Sequence, residues 1–134
     1  MDKKIHAFLI DDDPDDQLFF ELAISKMNLS VECCFADDCD EGLTMLGNPK
    51  YSPDLIFLDI NMPKMNGLEI LSKIRKIPRL NHVPVFMYST SADKYITDNC
   101  VKSGAAGVIK KETSIYSTLE KLMNIFENHL ALHS

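Results

Sequence analysis

Apolar positions along the chain fall into two kinds of stretch. Short, dense runs occupy residues 5–10, 31–36, 54–59, 84–88 and 106–111. Runs of this length, bounded by turn-forming residues, read as strands, and the one at 54–59 as a strand buried on both faces. Between them lie longer segments with helical spacing, which predict helices over 14–27, 38–46, 67–76, 92–103 and 114–130. The first is expected to bury Leu18, Phe19, Leu22 and Ala23, the third Leu68, Leu71 and Ile74, and the last Ile115, Leu119, Leu122 and Phe126. Punctuation agrees with these spans. Asp13 can cap the first helix, with Pro14 in its first turn and Asp15 and Asp16 favoured there by the helix dipole. Gly47, Asn48 and Pro49 close the second, Pro78 ends the third, and Gly104 turns the chain out of the fourth.

Five strands alternating with five helices imply right-handed crossovers and a mainly parallel sheet covered on both faces. The predicted architecture is a three-layer, doubly wound α/β domain. A chain of 134 residues has room for one such domain, with a core that folds without staples. The hydrophobic share of 46% and charged share of 25% are ordinary for a globular chain. A net charge of −6 disfavours a nucleic-acid or anionic-membrane partner. No apolar run has membrane-spanning length, and the opening residues lead into a strand rather than a signal peptide, so the expected location is cytoplasmic. Cys33, Cys34, Cys39 and Cys100 form no C-x-x-C pair and are expected to be reduced and packed.

In a parallel sheet the carboxyl ends of the strands share one edge, where ligands bind. Along that edge the sequence puts Asp11 and Asp12 after the first strand, Asp59 at the end of the central one, Ser89 after the fourth and Lys111 after the fifth. Asp13, Asp15 and Asp16 read as no more than a helix start. Lys110 and Lys111 are adjacent, so only one of them can enter the site. Crowded carboxylates are unfavourable unless a cation lies among them, and oxygen-only donors suit Mg²⁺. Asp59 would then be a nucleophile toward phosphorus, with Lys111 and Ser89 contacting phosphoryl oxygens.

Taken together, Asp11-Asp12 after Phe8-Leu9-Ile10, the segment Leu58-Asp59-Ile60-Asn61-Met62-Pro63 with Gly67, Ser89, and Lys111 after Gly104 and Gly107 carry a resemblance over nearly the whole chain. The sequence resembles a receiver domain of two-component signalling, a response regulator of the chemotaxis-regulator type. The resemblance implies a flavodoxin-like five-stranded parallel sheet in the order 2-1-3-4-5. It also implies phosphorylation of Asp59 by a sensor histidine kinase or a histidine phosphotransfer protein. In the same way it makes Asp12 a direct Mg²⁺ ligand, Asp11 a ligand through water and Asn61 a ligand through its backbone carbonyl. Ser89 becomes the switch hydroxyl, Thr90 its neighbour, and Lys111 the phosphoryl-binding lysine. The protein would catalyse only its own phosphorylation and dephosphorylation.

The sequence departs from the family in three places, one of them Thr90, larger than the commonest occupants beside the switch serine and expected to slow access to phosphorus. Glu112 stands where the family usually has proline, which leaves that loop's typical cis peptide open, and Val108 stands at the aromatic switch position. Residues 1–134 are expected to form a single receiver with no output domain, signalling by altered binding to a downstream protein. It would be a monomer or a weak homodimer, the latter through a Leu130-Ala131-Leu132 tail. The alternatives are a haloacid-dehalogenase-type Mg²⁺-dependent phosphatase, a flavodoxin-like cofactor binder, and a pseudo-receiver that signals without phosphate. Against the phosphatase, Asp15 stands where a hydroxylated residue is needed; against the cofactor binder, five aspartates fill six positions of the first loop.

Overall fold

The computed structural model describes residues 4–62 and 66–130. Five strands, β1 (Ile5–Ile10), β2 (Val31–Ala36), β3 (Leu55–Asp59), β4 (Val85–Ser89) and β5 (Gly107–Lys110), form one sheet in the order β2-β1-β3-β4-β5. Every pairing is parallel. The helices are α1 (Pro14–Ser25), α2 (Cys39–Leu46), α3 (Gly67–Arg75), α4 (Lys94–Lys102) and α5 (Ile115–Leu130), with a short 3-10 turn at Pro78–Leu80. The doubly wound architecture and the expected strand order both hold. Element ends move by a residue or two, because capping side chains sit just outside the helices they start. Asp13, Asp38, Asn66 and Asp93 each accept a backbone N–H from the first turn of the helix that follows.

The period-2 alternation of the strands sorts the interior into two cores. Phe8, Ile10, Ile56, Leu58, Val85 and Met87 pack against α2, α3 and α4. Ala7, Leu9, Leu55, Phe57, Phe86, Tyr88 and Ile109 pack against α1 and α5. Phe20 of α1 meets Phe57 edge-on, with centroids 4.9 Å apart, and Phe126 of α5 lies 6.4 Å from the same ring. Aromatic pairs of this kind add to the area they bury and fix both helices over the central strand.

The face of α1 differs from expectation. Phe20, Ala23, Ile24 and Met27 are buried, whereas Leu18 is 58% and Leu22 44% exposed. Apolar residues occur all round this helix, so spacing alone allows two stripes about 100° apart. The stripe containing Phe20 is taken because it meets the aromatic cluster of the sheet. On α5, Leu122 and Phe126 are buried while Ile115 and Leu119 are partly so. Residues 131–134, which include most of the expected dimer tail, and Pro63 of the central motif lie outside the described residues.

Candidate functional site

Asp59 closes β3 with only 2% of its surface exposed. Its Oδ1 accepts the Asn61 backbone N–H at 2.9 Å, an Asx-type turn that directs the chain away from the sheet. The start of α3 packs directly under this turn. A Cβ on Gly67 would lie 2.8 Å from the Ile60 Cα and 3.2 Å from the Asp59 carbonyl oxygen, so the glycine is a steric requirement of the acceptor's position.

The same parity that puts Leu55 and Phe57 toward α1 and α5 also applies to the strand ends. Asp11 follows Ala7 and Leu9, Tyr88 follows Phe86, and Lys111 follows Ile109, all on the α1–α5 side. The ladders continue past the strands to hold these residues: the Asp11 N–H donates to the Ala36 carbonyl at 3.1 Å and the Lys111 N–H to the Ser89 carbonyl at 2.6 Å. Lys111 therefore turns inward while Lys110 is exposed. Its Nζ lies 2.7 Å from Asp16 Oδ2, 3.2 Å from Asp59 Oδ1 and 3.6 Å from Asp11 Oδ2, and 5.2 Å above the centre of the Tyr88 ring.

The three carboxylates are those of Asp11, Asp16 and Asp59, each offering an oxygen within 4.8 Å of the others. Asp11 and Asp59 are two of the three carboxylates expected at this edge, and Asp16 stands with them. Asp12 is exposed in the bend that follows; burial raises the Cys39 thiol, and the charge of Asp12 is among those that add to the rise. Asp13 does cap α1, accepting the Asp15 N–H at 2.9 Å, but Asp16 is not merely part of a helix start. Sitting three residues after that cap, it faces the strand ends from α1, a placement that strand parity together with the N-cap could have indicated. Gln17 supports the arrangement by donating to the Asp11 carbonyl at 2.8 Å and to Asp37 Oδ1 at 2.9 Å.

Ser89 is buried at 2% exposure on the other parity, and its Oγ accepts the Ser91 N–H at 3.2 Å. Thr90 is exposed and receives a long contact, 3.4 Å, from Asn61 Nδ2. The Lys111–Glu112 peptide is trans, and Glu112 accepts from Lys121 Nζ at 2.7 Å, tying the loop after β5 to α5. Val108 is half-buried against the α2–α4 core.

The electrostatics of the cleft are unbalanced. Burial pushes the Asp11 carboxyl up to about 8; the Asp13 N–H and Lys111 oppose the rise, and Asp59 and Asp16 add to it. For Lys111, burial disfavours the ammonium, but the hydrogen bond to Asp16 and the charges of Asp11 and Asp59 outweigh it and raise its pKa. One ammonium faces three carboxylates, and Asp11 Oδ2, fully buried, has no hydrogen-bond partner among the described residues. A hard divalent cation suits both deficits, since every donor here is an oxygen. Asp11 and Asp59, with Asp12 and the Asn61 carbonyl beside them in sequence, are oxygen donors that fit Mg²⁺, while Asp16 is engaged by Lys111.

Comparison with known proteins identifies the family. A family model described as the response regulator receiver domain matches residues 7–123. The chain is similar to the transcriptional regulatory protein DegU of Brevibacillus brevis, 30% identical over 133 residues, which cover 98% of this chain and 54% of that protein. It thus spans about half the length of that relative. It is also similar to the chemotaxis protein CheY-3 of Vibrio cholerae, 35% identical over 91 residues, covering 67% of this chain and 70% of that one. Among solved structures, the phosphorylated cyanobacterial phytochrome response regulator RcpA superposes with a TM-score of 0.83 at 26% identity, covering 97% of this chain and 96% of that one.

Proposed function

This chain belongs to the response regulator receiver domain family, and on that premise we propose that Asp59 accepts a phosphoryl group from a histidine of a sensor kinase or a histidine phosphotransfer protein. The observation that carries the reading is the approach of Lys111 Nζ to within 3.2 Å of Asp59 Oδ1, in a cleft where a buried Asp11 oxygen has no hydrogen-bond partner among the described residues. An ionised carboxylate is a competent nucleophile for making an aspartyl phosphate. The oxygen–phosphorus bond forms as the phosphorus–nitrogen bond of phosphohistidine breaks, and that bond's electron pair stays on the imidazole. Lys111 contacts a phosphoryl oxygen as a point charge, and the Ser89 hydroxyl donates to another. The carboxylates of Asp12 and Asp59, the backbone carbonyl of Asn61 and, through water, Asp11 would hold Mg²⁺. Bound there, the ion neutralises charge on the transferring group.

Receivers are signalling modules rather than enzymes in the ordinary sense. The output we infer is altered binding to a downstream protein, through the loop after Ser89 and the face made by α4, β5 and α5. Among the described residues no helix is long and apolar enough to cross a membrane, and the site of action proposed is the cytoplasm. Intact mass measured after incubation with Mg²⁺ and acetyl phosphate tests the assignment. One added phosphoryl group is expected on the parent chain, none on Asp59→Asn and none with a chelator. Labelling of Asp59→Asn would move the acceptor elsewhere, and labelling in chelator would remove the metal from the reaction.

A further inference from the structure

Lys111 is held on more than one side. Its Nζ is nearest not to the acceptor but to Asp16, at 2.7 Å against 3.2 Å for Asp59 and 3.6 Å for Asp11. The Asp16 carboxylate is anchored from a different element, the first turn of α1, and is one-quarter exposed, whereas the lysine side chain is 14% exposed. Below the ammonium lies the Tyr88 ring, which the sheet register sets opposite Asp59. A lysine is a flexible stem with three rotatable donors, and unless it is tethered its position over a reacting group is diffuse.

Resting on the proposed phosphorylation of Asp59, we infer that Asp16 is a positioning residue for that reaction: it takes one donor of the Lys111 ammonium and aims the remaining two at the acceptor and the incoming phosphoryl oxygen. The charge-assisted hydrogen bond fixes the nitrogen beside Asp59. It also stops Lys111 from closing fully onto the acceptor carboxylate, which would tie up the attacking oxygen. In this role Asp16 touches neither phosphorus nor metal. When acetyl phosphate is the donor, an Asp59 oxygen bonds to phosphorus, the bond to acetate breaks, and acetate leaves with its electron pair. Asp16 contributes to that step only through where it holds Lys111.

The test compares the parent with Asp16→Ala and Asp16→Glu, following phosphorylation by acetyl phosphate and measuring Mg²⁺ binding separately by calorimetry. With Asp16→Ala, the limiting rate constant is expected to fall about tenfold, by analogy with the loss of outer-shell partners that orient metal ligands. The half-saturating donor concentration and the Mg²⁺ dissociation constant should stay close to the parent values, and Asp16→Glu should recover most of the rate. Thermal melts establish that both variants are folded. A parental or faster rate in Asp16→Ala overturns the inference. So does a Mg²⁺ affinity weakened about tenfold or more, which would put Asp16 in the cation's site, as a ligand or as the support of one, instead of acting through Lys111. Failure of the parent chain itself to take label defeats the proposed function and is distinguishable from either result.

Discussion

Asp11 and Asp16 show how much a residue's role depends on where a strand or helix turns it. Asp11-Asp12 was legible in the sequence as an acidic pair after β1, and Lys111 as the one of two lysines that could enter the site. What the sequence left open was which carboxylates the lysine would meet. Alternation along β1 sends Asp11 inward with Ala7 and Leu9 and leaves Asp12 exposed, while α1 brings Asp16 to the same cleft. The buried Asp11 carboxyl has a consequence for stability. Its folded pKa is raised to about 8 by burial, above its unfolded value, so the folded state binds the extra proton. Such a group's contribution is fully present below the unfolded pKa and is lost as pH rises through the folded one. Lys111, also raised, holds its contribution throughout that window. Urea unfolding in chelator should therefore show the protein losing on the order of a few kcal/mol between about pH 5.5 and pH 8, because each tenfold fall in proton concentration costs a state holding one extra proton about 1.4 kcal/mol. In Asp11→Asn the loss should largely vanish, and a parent profile flat over the same range would contradict the assignment of the buried proton to Asp11.

The elements themselves were legible because strands buried on both faces leave dense apolar runs, and because helix caps leave Asp, Asn and Pro at fixed places. α1 marks where that legibility ended. Leu18, Phe19, Phe20, Leu22, Ala23 and Ile24 offer apolar side chains in nearly every direction, and only the aromatic cluster on the sheet decides among them. The decision is measurable. Phe20, 1% exposed and packed edge-on to Phe57, should cost about 3–5 kcal/mol on truncation to alanine. Leu18→Ala, at 58% exposure, should cost no more than about 0.5 kcal/mol. Equal losses in chemical denaturation would return α1 to the face that spacing alone suggests. Gly67 is a comparable case on α3: its presence was legible, but its reason, the 2.8 Å approach of any Cβ to Ile60, belongs to packing that only the folded chain has.

At the scale of the whole molecule, the order β2-β1-β3-β4-β5 is what turns distant residues into one cleft. It places β1 and β4 on either side of β3, so that Asp11 and Ser89 flank Asp59, and β5 brings Lys111 across the end of β4. The fold thus concentrates acidic groups at one end of the sheet, and part of its stability is given up there to a buried Asp11 carboxyl whose Oδ2 has no hydrogen-bond partner among the described residues. A cation should return that stability, because a ligand that binds only the folded state raises the unfolding free energy by about 2.7 kcal/mol at a hundredfold excess over its dissociation constant. For a domain of this size that amounts to a melting temperature higher by about 10 °C. Replacing Asp11 with asparagine removes a buried carboxyl that is costly to ionise and one of the oxygens proposed for the ion. Asp11→Asn should therefore melt above the parent in chelator and gain much less from Mg²⁺, while Leu18→Ala should keep the full metal-dependent rise. Thermal melts of the three proteins with and without Mg²⁺ check this. If Asp11→Asn melted below the parent in chelator and kept the parent's metal response, the unpartnered oxygen would be neither a source of strain nor a part of the cation's site, and the charge balance of the whole cleft would have to be drawn differently.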